Sequence, residues 1–238
     1  MSYKFGPKIV TDGLILYMDA SNPSSYVNGS NLIYGLGTPN IFGSLSNVSY
    51  LTDYGGNLSF NGSSSVITTN DTSSISNNFT IDVWCRPTNT IAVYSQTTSG
   101  ISPILLSGHR FIVAADNRAT NSGAGISVGT NGINVIEHGN FFFPAPLVHY
   151  TTISSTVFTN ITLVYISKQP NLYINGVFIK TGLITASPTT FMSTGSQGIG
   201  SLYGFYQGSI SNIKWYNKSL SATEILQNYN AIKSRFEL

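Results

Sequence analysis

The chain has 238 residues, enough to bury a sizeable core, and sandwich or barrel domains of this length commonly fold as one unit. Hydrophobic residues make up 41% and charged residues only 8%, against about a quarter charged in an ordinary globular chain, so Ser, Thr, Asn and 23 Gly supply most of the polarity. A net charge of +2 spread over scattered basic residues excludes the concentrated basic footprint of a nucleic-acid binder, and 12% aromatic residues in alternating blocks exclude a disordered chain.

The opening "MSYKFGPKIV" carries no apolar stretch of signal-peptide length, and no later run reaches the length of a membrane span. The mature protein is therefore expected to begin at Met1, with residues 1–10 as an N-terminal arm and no membrane insertion. Short apolar runs punctuated by Gly and Asn follow at 13–20, 57–60, 64–69, 79–87, 102–108, 110–115, 125–130, 133–139, 160–167, 171–182, 197–202 and 206–217. Their number and shortness predict an all-β, two-sheet antiparallel jelly-roll sandwich over 11–218. The stretches 21–56, 88–101 and 140–158 read as irregular.

Within this pattern "LYINGVFIK" predicts a tight hairpin, because only residues tolerant of positive φ suit both corners of a type I′ turn at Asn175-Gly176. Asn61-Gly62 and Asn131-Gly132 are weaker versions. Cys85, the single cysteine, runs in step with Phe79, Ile81 and Val83 and reads as a small core hydrophobe. Phe141, Phe142 and Phe143 in "NFFFPAPLVHY" are too apolar for a solvated loop, and form either a flap closing one end of the sandwich or a contact with another chain.

The chain closes on a helix over 219–238. Ser221 and Glu224 stand at capping-box spacing, and Ile225, Tyr229, Ile232 and Phe236 form one apolar stripe that Leu226 widens. A lone helix with one apolar face must lay it on something, and the preceding strand offers the outer or edge surface of the sandwich.

Four segments in order, "DGLILYMDASNPSSY", "LSFNGSSSVIT" followed by "NFTIDVWCRP", "LYINGV" and "GIGSLYGFYQGSISNIKWYNKSLSATEILQNYNAIKSRF", resemble the laminin-G-like branch of the concanavalin A-like lectin and glucanase superfamily. The opening "GPKIVTDGLILYMDASNPSSY" and the ending "LSATEILQNYNAIKSRF" resemble single-domain versions in virion proteins of tailed bacteriophages, cyanophages among them. The resemblance implies a non-enzymatic virion surface protein, a capsid decoration or a fibre component, with other virion proteins and a host-surface glycan as partners. It also implies a homo-oligomer located on the virion surface. Residues 27–56 depart from the family pattern, which detaches this loop from any ligand or metal contact the family makes there.

The residues limit the chemistry. Retaining glycosidases need two carboxyl groups about 5–5.5 Å apart, and the glutamates Glu137, Glu224 and Glu237 belong to no paired run, so no catalytic residue is predicted. Calcium is the cofactor that the residue types admit, with Asp19, Asp71, Asp116 and Asn117 as candidate ligands; each reads equally as a turn former. For sugar contact the candidates are Trp84 with Asp82, on the strand face opposite Phe79, and Tyr203, Phe205 and Tyr206 in "SLYGFYQG", all of which read alternatively as core or interface. A stand-alone calcium-dependent lectin is the alternative function, and a glycoside hydrolase a third.

Overall fold

The computed structural model describes residues 7–37, 40–71, 74–98, 108–116, 118–139, 145–151, 153–154, 156–193, 199 and 204–238. The first strands are β1 (Leu14–Asp19), β2 (Leu32–Tyr34), β3 (Phe42–Ser46), β4 (Ser49–Leu51), β5 (Asn57–Asn61) and β6 (Val66–Thr69). Next come β7 (Phe79–Pro87), β8 (Phe111–Val113), β9 (Ser122–Gly129), β10 (Gly132–His138) and β11 (Ala145–Tyr150). The chain continues through β12 (Thr159–Ile166), β13 (Gln169–Ile174), β14 (Val177–Thr181), β15 (Thr190–Met192) and β16 (Gln207–Tyr216) to the helix α1 (Ala222–Ile232).

One sheet has eight strands, in the order β14-β13-β12-β7-β16-β5-β4, with β1 pairing the second half of β16. The facing layer joins a five-stranded sheet, β11-β10-β9-β15 with β8 also on β9, to the three-stranded β2-β3-β6. Ile199 links them by bridging both Ile67 and Val113. This is the predicted sandwich. The irregular stretches 21–56 and 140–158 contain β2, β3, β4 and β11, strands too short or too polar at their flanks to show in the sequence pattern.

Period-two alternation decides what each face of the large sheet buries. From β7, Phe79, Ile81, Val83 and Cys85 join Leu16, Met18, Ile126, Val135, Ile161, Leu163 and Trp215 between the layers. Burial pushes the Cys85 thiol up to about 12, so the side chain behaves as a hydrophobe. The alternate residues Thr80, Asp82, Trp84 and Arg86 point to the outer face, where α1 lies.

The Asn175-Gly176 turn has φ of 51° and 77° and closes the Ile174–Val177 register, as a type I′ turn requires. Gly132 pairs Gly129 across a second two-residue turn, between β9 and β10. The segment 102–107 and Phe141, Phe142 and Phe143 lie outside the described residues.

The helix begins as its sequence predicts. Ser221 Oγ accepts from the Glu224 N–H, and the Glu224 carboxylate accepts from the Ser221 N–H at 2.8 Å. The buried side of α1 carries Ile225, Asn228 and Ile232, whereas Leu226 is 45% exposed and does not widen the stripe. Asn228 is buried because it has two specific partners: its Oδ1 accepts from the Val10 N–H at 2.8 Å, and its Nδ2 donates to the Tyr216 hydroxyl at 3.0 Å. Gln227 donates to the Lys8 carbonyl at 2.7 Å, so residues 8–10 and the helix are tied to each other as well as to the sheet. Phe236, in a 3-10 turn over Lys233–Phe236, completes the apolar contact.

Candidate functional site

Trp84 is completely buried beneath the closing helix. Its ring stacks on Phe236 at 4.5 Å and on Tyr229 at 5.6 Å, with Phe158 and Ile232 completing the cluster. The expectation of a sugar platform is corrected: alternation places Trp84 on the outer face, and the apolar stripe of α1 then covers it. Asp82, also fully buried, pairs with Lys214 at 2.8 Å, and the Thr162 hydroxyl donates to its second oxygen at 2.9 Å. The ion pair is a structural polar layer under the helix, closed to a ligand.

The other predicted positions separate similarly. Tyr206 is fully buried in the main core, packed edge-on against Phe60 at 5.8 Å, which removes it as a sugar contact. Phe205 is half-buried and bridges Phe111 through its backbone, while Tyr203 lies outside the described residues. Asp71 and Asp116 are buried. The Asp116 N–H donates to Ser193 Oγ, and its carboxylate pairs with Arg118 at 3.3 Å. Among the described residues no group of three or more His, Cys, Asp or Glu side chains converges to hold a metal ion; Asn117 lies outside them. Asp19, Asp71 and Asp116 are thus not assembled into the calcium site their residue types admitted.

Asp19 instead belongs to a different construction. At the end of β1 it accepts from the Tyr17 hydroxyl at 2.7 Å, the Ser21 N–H at 3.0 Å, the Ser21 hydroxyl at 2.8 Å and the Arg235 guanidinium at 2.8 Å. Burial works to raise this carboxyl, but Arg235 and the donors from Ser21 and Tyr17 outweigh it, leaving it below the usual carboxylate range. Arg235 also donates through Nε to the Tyr54 carbonyl at 2.6 Å, and through Nη2 to the Gly56 carbonyl. One planar fork thereby holds three chain segments.

Those two carbonyls come from a turn over Asp53–Gly55 and its capping residue Gly56; within the turn Tyr54 has φ 51° and ψ 35°, a left-handed conformation uncommon outside glycine. Gly56, at φ 131°, follows where a Cβ would meet the Ala20 carbonyl at 2.9 Å. The turn therefore lies close against β1. Tyr54 packs on Phe158 at 5.5 Å and Phe236 at 5.7 Å. Arg86, from the end of β7, lies over the Phe158 and Tyr54 rings at 5.1 and 5.8 Å and pairs with Asp53 at 3.1 Å.

Together Ser21, Asp53, Tyr54, Gly55, Arg86, Arg235 and Glu237 line an open depression of about 670 Å³. Arg235 spends three of its five N–H groups on the protein, whereas Arg86 uses one, on Asp53, and the Glu237 carboxylate makes no hydrogen bond or ion pair among the described residues. The depression thus presents a preoriented donor fork, a free acceptor and an aromatic ring. Sequence reasoning missed it because Asp53 and Tyr54 lie in the divergent 27–56 stretch, Arg235 reads as a solvated helix residue, and Glu237 as a chain end. The positive-φ strain at Tyr54 has no sequence signal.

A family model described as the concanavalin A-like lectin/glucanases superfamily, of the laminin-G type, matches residues 60–226. Among solved structures, the binding domain of botulinum neurotoxin serotype D is similar with a TM-score of 0.62 and 16% identity, covering 92% of this chain and 51% of that one. The binding domain of botulinum neurotoxin DC, in complex with SialylT, is similar at 0.59 and 13%, covering 94% and 52%. Domain 4 of AbnA, an extracellular arabinanase of Geobacillus stearothermophilus in complex with arabinotriose, is similar at 0.53 and 16%, covering 91% and 98%. The chain spans about half the length of the toxin domains it matches. None of the curated proteins matches it. At these identities the structural likeness carries the fold, and with the family model over most of its length the chain belongs to the concanavalin A-like lectin/glucanase superfamily, with the sandwich of a laminin-G-like domain.

Proposed function

We propose that the protein is a non-catalytic glycan-recognition module, displayed on the virion surface of a tailed phage as a capsid decoration or fibre component. The observation that carries the recognition half is the depression at Tyr54 and Arg86: an aromatic ring beside a guanidinium with four uncommitted N–H donors and a carboxylate acceptor. Sugars present apolar C–H faces edged with hydroxyls that donate and accept, and each element has its counterpart there. Similar folds in complex with SialylT and with arabinotriose support the reading. A non-catalytic role is supported by the commitment of the Asp53 carboxylate to structural contacts with Asn57 and Arg86.

The virion half is supported by the resemblance of the opening and closing segments to phage virion proteins and by a polar exterior with few charges. Display in many copies would raise a weak single-site affinity through avidity. The test is twofold: a glycan array probed with the purified chain, and mass spectrometry with antibody labelling of purified particles. Saturable binding that Arg86→Gln weakens, together with the chain on particles, fits the proposal. A folded chain that binds no glycan overturns the recognition half, and its absence from particles overturns the virion half.

A further inference from the structure

We infer that the depression takes a neutral saccharide presenting two adjacent hydroxyls, and discriminates against acidic sugars; this rests on the reading of the depression as a glycan site. Arg86 and Arg235 bring two positive charges to the depression and its floor, while Asp19, Asp53 and Glu237 bring three negative ones. Both cations are already paired, Arg86 with Asp53 at 3.1 Å and Arg235 with Asp19 at 2.8 Å. A carboxylate, sulfate or phosphate on the ligand would meet an Arg86 whose charge Asp53 already balances, and would sit near the Glu237 carboxylate. Like charges brought together in this way are strongly disfavoured at an interface.

The guanidinium fork matches two oxygens held side by side, a pattern best known with carboxylate and phosphate but equally offered by the oxygens of two neighbouring hydroxyls. Arg86 is held for this role, since its Cζ lies within 5.1 and 5.8 Å of the Phe158 and Tyr54 ring centres and its Nη2 is anchored on Asp53. Hydroxyls, unlike carboxylates, also carry protons, and Glu237 is the acceptor free to take one. An acidic sugar with its carboxylate on the fork brings like charge beside Glu237, whereas a neutral diol uses both partners without that repulsion. Arg235 sits behind, making three contacts that hold the Asp53–Gly55 turn and so the Tyr54 ring beside the fork.

The test is isothermal titration of the full chain with a panel of neutral methyl hexosides and pentosides, N-acetylneuraminic acid and glucuronic acid, at low and high salt. Wild type, Arg86→Gln and Glu237→Gln are compared after circular dichroism shows each folded. Glu237 is exposed, so its substitution leaves the fold intact. The expected result is binding of a neutral glycoside that changes little with salt, weakens roughly tenfold in Arg86→Gln and less in Glu237→Gln, corresponding to one or two lost hydrogen bonds. Preferred binding of an acidic sugar that is salt-sensitive, lost in Arg86→Gln and strengthened in Glu237→Gln would overturn the inference while leaving the glycan site standing. Binding of no panel member, or binding indifferent to both substitutions, would overturn the site itself.

Discussion

Replacing Trp84 separates a structural from a ligand-contacting role for the most conspicuous aromatic side chain on the outer face. Trp84 is fully buried, and its ring lies 4.5 Å from Phe236 and 5.6 Å from Tyr229. Truncating a buried Trp to Ala costs about 3–5 kcal/mol, and two stacked partners, worth ~0.5–1.5 kcal/mol each, place Trp84→Ala near the middle of that range or above it. A loss of about 4 kcal/mol lowers the Tm of a chain of this size by roughly 8–16 °C. Trp84→Phe keeps most of the apolar area and gives up no hydrogen bond, since Trp84 Nε1 has no partner. Its cost is expected near 1 kcal/mol, as for other near-conservative core changes. Urea unfolding followed by far-ultraviolet circular dichroism gives both stabilities, and glycan titration of Trp84→Phe gives the binding. Trp84→Ala at less than about 1 kcal/mol would refute the packing of the helix on this ring. Loss of binding in a stable Trp84→Phe would show that sugar reaches Trp84 after all.

Other predictions follow from the same geometry. Lys214→Met leaves Asp82 buried without its 2.8 Å partner and is expected to cost about 3–5 kcal/mol; adding Asp82→Leu should recover most of it, as a double-mutant cycle in urea will show. Burial raises the Glu137 carboxyl above its ordinary value of 4.5, against the hydroxyls of Thr185 and Ser122 that donate to it. The native state therefore holds the proton more tightly than the unfolded chain, so this contribution is full below about pH 4.5 and is lost as pH rises through the folded value. Glu137→Gln should gain stability relative to wild type as pH increases across that window. Burial pushes His109 down to about 4 from 6.5, the opposite sign: stability tied to it is present above pH 6.5 and is lost as pH falls through 4, and its ring should titrate near 4 by NMR. Gly176→Ala, at φ 77° and with Leu226 and Tyr229 atoms 3.1 and 3.2 Å from the new Cβ, should cost at least about 1 kcal/mol in thermal unfolding.

The sandwich was legible wherever local chemistry and the burial pattern agree. Phe79 to Pro87 is legible because Phe79, Ile81, Val83 and Cys85 fall every second residue onto the core face of the large sheet, although the helix covers Trp84 on the other. Asn175-Gly176 and Ser221 with Glu224 are legible because each motif needs only its own backbone to act. Strands β2, β4 and β15 are three residues long, too short for any period to register. The site was not legible for a different reason. Its parts come from residues 21, 53–55, 86, 235 and 237, which tertiary structure alone brings together, and the sequence expectations for Trp84, Asp82 and Tyr206 failed because aromatic and acidic side chains look alike in sequence whether a helix covers them or not. Arg235 illustrates the limit: its fork joins Asp19 to the Tyr54 and Gly56 carbonyls, about 180 residues or more away in the chain.

The central claim is that sugar meets the protein at the depression formed by Tyr54, Arg86 and Glu237. It is tested most directly by titrating isotope-labelled chain with neutral methyl hexosides and mapping the NMR shifts onto the structure. The account predicts progressive, saturable shifts of the amides of residues 53–56 and 235–237 and of the Arg86 side-chain N–H, with those around His109 and Ser127 on the opposite layer unmoved. Shifts gathered on that opposite layer, with the Arg86 signal unchanged, would contradict it.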